Sequence, residues 1–326
     1  MQPRATRPRI VFLDAATYGD VSLQVFLDRW SCTIHQVTRP AEVCPRLAAH
    51  SVVVTNKVVI DRPVLSSPEA GDLRLIAVAA TGTDIIDREA ARELGIKVCN
   101  VPGYATQSVA QFTMALILEL ATRAGRYGEL VRSGAWQKSP VFTLLDYPSI
   151  ELKGRKLGII GYGNIGRAVA RMAKAFGLEV LIAARPGSAT SVPERLPLDT
   201  LMSEADIITL HCPLTAQTKN LINRETLSRM KPTGFVINTA RGGLIEETAL
   251  IEALREKRLA GAAVDVVSRE PPPPDHPLIQ AAKELDNLLV TPHTAWSARE
   301  SRQRLLNEVA ENISAFLSSK PRNLVV

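Results

Sequence analysis

The run Gly161-Tyr162-Gly163-Asn164-Ile165-Gly166 constrains this chain more than any other feature. It follows the apolar segment Leu157-Gly158-Ile159-Ile160 and opens into Arg167-Ala168-Val169-Ala170-Arg171-Met172-Ala173. The order is a buried strand, a glycine turn and a good helix former. Each glycine has its own task. Gly161 permits the tight turn, Gly163 lets a pyrophosphate approach the backbone, and Gly166 lets the helix pack on its strand. N–H groups at the helix start then face the phosphates. In this strand–turn–helix setting the motif predicts a dinucleotide site.

The next strand bears on which dinucleotide. Its apolar run is Glu179-Val180-Leu181-Ile182-Ala183-Ala184, and an NAD site wants Asp or Glu at the end to bond the ribose 2′-hydroxyl. Here Ala184 stands there, Arg185-Pro186-Gly187-Ser188 follows, and the first acid is Glu194. A carboxylate would repel a 2′-phosphate, whereas Arg185 can stack on adenine and bond the phosphate. The expectation is NADP(H), with NAD(H) as the alternative.

A chain of 326 residues suggests two domains. The net charge of +6 is spread along it rather than gathered in a basic tail. That gives no reason to expect nucleic-acid binding, though it helps attract an anionic cofactor and substrate. Cys32, Cys44, Cys99 and Cys212 are far apart, so free thiols in a reducing compartment are expected rather than a metal site or disulfides. The most apolar helical stretch, Phe112 to Leu118, is broken by Glu119. No membrane segment is expected, and the setting reads as cytoplasmic.

Short buried strands are expected at Ile10–Asp14, Ser51–Thr55, Leu75–Ala79 and Ile96–Asn100, with helices between them. A long helix from about Ser108 to about Arg123 leads into an arm, Ser133 to Leu152, that holds Trp136, Phe142 and Tyr147. The alternation restarts with strands at Leu157–Ile160, Val180–Ala183, Ile207–His211, Gly234–Asn238, Gly261–Val266 and Leu288–Thr291. A last helix, Ser297 to Leu317, returns to the first domain, which makes that domain discontinuous. Pro271-Pro272-Pro273-Pro274 reads as a rigid polyproline loop.

Ligands of open α/β sheets bind beyond the carboxyl ends of the strands. Those ends carry Asn238-Thr239-Ala240-Arg241-Gly242, Asp265, Arg269-Glu270-Pro271 and Thr291-Pro292-His293-Thr294-Ala295-Trp296. Removing a hydride from an alcohol carbon needs a base for the hydroxyl proton, and histidine titrates nearest neutrality. A carboxylate beside it, such as Glu270, stabilises the imidazolium. A planar guanidinium such as Arg241 binds a carboxylate and polarises the adjacent carbonyl. Taken singly, each has a bland reading: His293 as a packing or capping residue, Glu270 and Arg241 as solvated charges, Asp265 as a helix cap.

Together, in this order, the glycine fingerprint, Asn238–Gly242, Asp265-Val266, Glu270-Pro271 and Thr291-Pro292-His293 resemble the D-2-hydroxyacid dehydrogenase family over essentially the whole chain. The resemblance implies a doubly wound Rossmann domain at 104–295 and a discontinuous flavodoxin-like substrate-binding domain at 1–103 and 296–326. It makes Arg241, Glu270 and His293 the catalytic set. Asp265 becomes the acid that bonds the nicotinamide carboxamide. The cofactor set extends to Val109, Gly161, Gly163, Asn164, Ile165, Gly166, Arg185, Pro213, Thr218, Thr239 and Ala240. Ala80-Thr81-Gly82-Thr83-Asp84 resembles the loop whose backbone N–H groups receive the substrate carboxylate, so Thr81, Gly82 and Thr83 join Arg241 and His293 there. Gln111 stands where the family usually has Glu.

Within the family, Val54-Thr55-Asn56-Lys57-Val58, Asn100-Val101-Pro102-Gly103-Tyr104 and Pro292–Trp296 resemble glycerate dehydrogenases, also called hydroxypyruvate reductases. Lys57 adds charge toward a substrate. The implied reaction is hydride transfer between NADP(H) and a short 2-keto or 2-hydroxy acid, hydroxypyruvate/D-glycerate or glyoxylate/glycolate. The arm resembles the family's dimer-forming segment, so a homodimer is implied. Two alternatives stay open: action on another small anion such as phosphite or a longer 2-keto acid, and a dinucleotide-sensing corepressor-like scaffold.

Overall fold

The computed structural model describes residues 8–185 and 194–326. They form two compact units: residues up to Ala105 with Ser297–Val326, and Thr106–Trp296. Pro186, Gly187 and Ser188, quoted above beside Arg185, lie outside the described residues.

The first unit holds strands β1 (Arg9–Phe12), β2 (Ser31–Ile34), β3 (Val52–Thr55), β4 (Leu75–Val78) and β5 (Lys97–Cys99). They pair in parallel in the order β2-β1-β3-β4-β5, which is the flavodoxin-like order. Every residue of β3 and β4 is buried, as a parallel strand covered on both faces requires. β2 is the one strand that the sequence reading did not propose. Ser31-Cys32-Thr33-Ile34 lies at the sheet edge, alternates exposed with half-buried positions and has no apolar run to announce it. The helix Arg299–Leu317 packs on β4 within this unit. Its Leu305, Leu306, Val309, Ala310 and Ile313 are wholly buried, and each large apolar side chain so buried contributes about 1.5–3 kcal/mol. The chain end stays in the same unit, where Leu324 bridges Cys99 in antiparallel fashion.

The second unit holds β6 (Lys156–Ile160), β7 (Glu179–Ile182), β8 (Ile207–Leu210), β9 (Phe235–Asn238), β10 (Gly261–Val264) and β11 (Leu288–Val290). All pair in parallel, in the order β11-β10-β9-β8-β6-β7. Beyond β7 a single parallel bridge joins Ala183 to Leu196. Counted as a vestigial third strand, Leu196 gives the order 3-2-1-4-5-6-7, with β6 first and β7 second: the 3-2-1-4-5-6 Rossmann order with β11 added at the far edge. The topology reverses at β6, the strand that carries the glycine turn. Helix Thr106–Thr122 packs across helix Asn164–Ala175 on one face of this sheet. The arm contains a short 3-10 turn, Trp136–Lys138. Its far end is tied back by Tyr127, whose hydroxyl donates to the Tyr147 carbonyl (2.9 Å) and accepts its N–H (3.1 Å).

Candidate active site

The three glycines of the fingerprint meet three different surroundings. Gly161 has φ +100°, and a Cβ there would lie 2.4 Å from the Cys212 nitrogen and 2.5 Å from the His211 carbonyl carbon. Only glycine fits both the conformation and the space. A Cβ on Gly166 would fall 2.2 Å from the Gly161 carbonyl oxygen, so the helix sits directly on the turn. Gly163 is the opposite case, with nothing within 4 Å of its added carbon. Gly163 caps helix Asn164–Ala175, so an open approach to backbone lies at the positive end of a helix dipole. These residues fit the pyrophosphate of a dinucleotide.

The ends of β9, β10 and β11 are laced together by hydrogen bonds. Asn238, 1% exposed, donates its amide N–H to the Arg241 carbonyl (2.9 Å) and accepts the Ala240 N–H (3.0 Å). Its own carbonyl accepts the Asp265 N–H, and the Asp265 carbonyl accepts the His293 N–H, both at 2.8 Å. An unbroken chain of bonds thus runs from the Arg241 loop to His293. The Glu270 loop joins it at Gly242, where a Cβ would lie 2.0 Å from the Val267 carbonyl carbon. Val267 donates its N–H to Glu270 Oε1 (3.1 Å), and Glu270 Oε2 lies 2.5 Å from His293 Nδ1. Nδ1–H therefore donates to the carboxylate, and Nε2 is left to meet a ligand. The half-buried Arg241 also donates through Nη1 to the Ala240 carbonyl (2.8 Å).

The other histidines are placed differently. Burial pushes the His211 imidazole down to about 3, and its Nε2 lies 3.0 Å from the Thr209 hydroxyl. His35 and His50 are also pushed down, mainly by burial, and belong to the first unit. His276 is 4% exposed. Among the five, His293 pairs a short carboxylate contact with partial exposure.

Several expected cofactor residues have other engagements. Asp265 is 1% exposed. Its Oδ1 accepts the Thr291 hydroxyl (2.6 Å) and the Thr294 N–H (2.9 Å), and its Oδ2 accepts the Ala295 N–H (2.8 Å). It organises the loop that carries His293, and a carboxamide would have to share these oxygens. Thr218 is buried, with its hydroxyl turned into its own loop, donating to the Pro213 carbonyl and accepting the Thr215 N–H, each at 2.7 Å. Its side chain shapes the turn, while Pro213 is exposed. Thr239 shares a 3.1 Å hydroxyl contact with Thr113, one helical turn after the buried Val109. Ala184 donates its N–H to the Leu196 carbonyl (2.7 Å), and Arg185 beside it is exposed.

The expected substrate loops of the first unit follow its adjacent strands β3 and β4. Thr81 donates its hydroxyl to the Val101 carbonyl (2.8 Å), and its carbonyl accepts the Asn100 amide (2.7 Å). Gly82 is half-buried and Thr83 buried. The Lys57 side chain is exposed, while its backbone N–H donates to Asp14 Oδ2 (2.6 Å).

Two groups escaped the sequence reading. Asp14, at the end of β1, accepts the N–H groups of Asn56 and Lys57. Burial pushes its carboxyl up despite those bonds. The second group is Glu247, Ser268 and His276 behind the Glu270 loop. Its one visible signal is His276-Pro277 at a helix start.

The fold and this site define a nicotinamide-dinucleotide oxidoreductase. Residues 114–295 match the D-isomer specific 2-hydroxyacid dehydrogenase NAD-binding domain, and the chain belongs to that family. A glycerate dehydrogenase of Methylorubrum extorquens is 39% identical over 320 residues, 97% of this chain and 98% of the relative. A Thermus thermophilus crystal structure superposes with a TM-score of 0.86 at 36% identity, covering 98% of this chain and all of that one. An NADPH-dependent glyoxylate/hydroxypyruvate reductase of Sinorhizobium meliloti, solved with NADP and malonate, gives 0.82 at 26% identity over 98% of this chain and 97% of its own.

Proposed function

We propose that this enzyme reduces hydroxypyruvate or glyoxylate to the corresponding 2-hydroxy acid, with NADPH preferred to NADH. The 2.5 Å contact between His293 Nδ1 and Glu270 Oε2 carries the reading. It leaves Nε2 as the proton-transfer atom and puts a counter-charge behind the imidazolium. The bound reduced nicotinamide supplies the hydride. His293 gives a proton to the keto oxygen, and the product is the 2-hydroxy acid. Arg241 binds the substrate carboxylate and draws charge toward the carbonyl oxygen. Thr81, Gly82 and Thr83 offer backbone N–H groups to the carboxylate, and Lys57 adds positive charge.

The names of the relatives support a small 2-keto acid, and the exposed Arg185 with Ala184 in place of an acid supports the phosphorylated cofactor. We further propose a homodimer in the cytoplasm. The arm exposes Phe142 (90%) and Leu145 (85%), an apolar face suited to a second copy, and the four cysteines are free. The test is a keto-acid panel assayed with NADPH, together with His293→Gln and Arg241→Lys. His293→Gln should lose about 10²–10⁴-fold in turnover while still binding NADPH. Arg241→Lys should raise KM and lower kcat together, because an ammonium cannot make the bidentate contact. Near wild-type turnover in His293→Gln would sink the reading.

A further inference from the structure

We propose that Glu247, acting through Ser268 and His276, is the positioning residue that sets Glu270 against His293; this rests on the catalytic reading above. The segment from Ser268 to His276 carries Glu270 and four successive prolines, Pro271 to Pro274. Prolines have no N–H to donate, so such a loop is held mainly at its ends. Both ends meet one carboxylate. Glu247 Oε1 accepts the Ser268 N–H (2.7 Å), and Oε2 accepts the Ser268 hydroxyl (2.9 Å). At the other end His276 Nε2 lies 3.3 Å from Ser268 Oγ and 3.5 Å from Glu247 Oε2.

The bonding directions fix the order of the cluster. Ser268 gives its only hydroxyl proton to Glu247, so Oγ accepts from His276 Nε2–H. His276 Nδ1, buried without a partner among the described residues, is then a bare lone pair rather than a stranded donor, the cheaper of the two. Glu247 is 12% exposed and His276 4%, so water competes weakly and these charge-assisted bonds are strong. Glu247 is the first residue of helix Glu247–Arg255, a rigid mount near a helix N-terminus that favours its charge. Two residues beyond Ser268, Glu270 takes the Val267 N–H on one oxygen and faces His293 with the other. Loosening Ser268 therefore loosens the carboxylate that must stay 2.5 Å from Nδ1.

The experiment uses the full chain and two readouts. The first is the downfield Nδ1–H proton resonance of His293, which needs no substrate. It should be present in the wild type, absent in His293→Gln, and lost or moved upfield in Glu270→Gln, where an amide oxygen replaces the carboxylate, and in Glu247→Gln. The second is steady-state reduction of hydroxypyruvate with NADPH. Glu247→Gln should lower kcat roughly tenfold to hundredfold, as displacement of about an ångström does, with KM for NADPH little changed. In the Glu270→Gln background the same change should add almost nothing, because both act through one contact. Ser268→Ala keeps the Ser268 N–H bond to Glu247 and should give a milder version of each effect, which serves if Glu247→Gln fails to fold. An unchanged His293 resonance in Glu247→Gln, or in Ser268→Ala where that stands in, overturns the proposal whatever the turnover. So do effects of Glu247→Gln and Glu270→Gln that multiply. Absence of any keto-acid reduction by the wild type would count against the functional reading instead, and the resonance would still decide this one.

Discussion

A carbon placed on Gly166 would lie 2.2 Å from the carbonyl oxygen of Gly161, whereas one placed on Gly163 would meet nothing within 4 Å. The first contact is with a backbone carbonyl, so no flexible side chain can yield. Gly166→Ala should therefore force the helix off its strand and cost about 1–3 kcal/mol of stability. Gly163 has φ −83° and ψ −155°, a conformation alanine adopts freely. Gly163→Ala should keep the wild-type Tm and raise the KM for the dinucleotide, since only an approaching ligand feels the methyl. Thermal unfolding and cofactor titration of both variants separate the two outcomes. Equal losses of Tm would show that the glycines do not divide their tasks in this way.

Glu270→Gln keeps the size of the side chain and removes its charge. With the carboxylate 2.5 Å from Nδ1, the protonated ring gains a counter-charge that an amide cannot supply. Keto-acid reduction consumes that proton. Its rate should therefore be lower in the variant than in the wild type at one and the same pH, with the KM for the dinucleotide little changed. Steady-state kcat and KM of the two proteins at a fixed pH check this, and equal kcat values would uncouple Glu270 from the histidine.

His211 supplies a pH test of stability with a definite sign. Burial pushes its imidazole from the ordinary 6.5 down to about 3. Below pH 6.5 the unfolded chain takes up a proton that the folded protein refuses, so the unfolded state binds more protons and stability falls as pH falls. The loss starts near 6.5 and continues toward 3; above 6.5 it is absent. Between pH 7.5 and pH 5 the Tm of the wild type should drop further than that of His211→Gln. Parallel curves would mean the ring is not held neutral.

Much of this was legible in the sequence because buried parallel strands are continuous apolar runs. Val52-Val53-Val54 and Leu157-Gly158-Ile159-Ile160 declare themselves, and the residues after such runs fall where ligands bind. Edge pairing was not legible. Ser31–Ile34 gains its place from β1 rather than from its own composition, and Leu196 contributes one bridge from inside a loop. Nor were the buried acids. Asp14 and Glu247 do their work by accepting N–H groups from Asn56, Lys57 and Ser268, partners far away in sequence that only the fold brings near. The same limit hides the bonds of Asp265, whose partners Thr291, Thr294 and Ala295 lie on the loop of another strand, whereas Thr218 turns its hydroxyl into its own loop.

The proposed preference for NADPH rests on the end of β7. Ala184 keeps its backbone in place through the Leu196 carbonyl (2.7 Å), so a side chain added there leaves that anchor intact. Arg185 is exposed beside it. A hydrogen bond to a charged group contributes about 1.5–3 kcal/mol, which corresponds to a preference for NADPH of roughly 10- to 100-fold, reduced where solvent reaches the pair. Ala184→Asp supplies an acceptor for the 2′-hydroxyl and repels a 2′-phosphate, and Arg185→Ala removes the phosphate's cation. The double variant should therefore reverse the preference toward NADH while leaving kcat at saturating cofactor close to that of the wild type, because neither residue belongs to the Arg241–Glu270–His293 set. The ratio of kcat/KM for NADPH and NADH, measured before and after the double change, decides the matter. A wild-type ratio in favour of NADH would show that Arg185 does not serve the 2′-phosphate and that Ala184 leaves room for an unphosphorylated ribose.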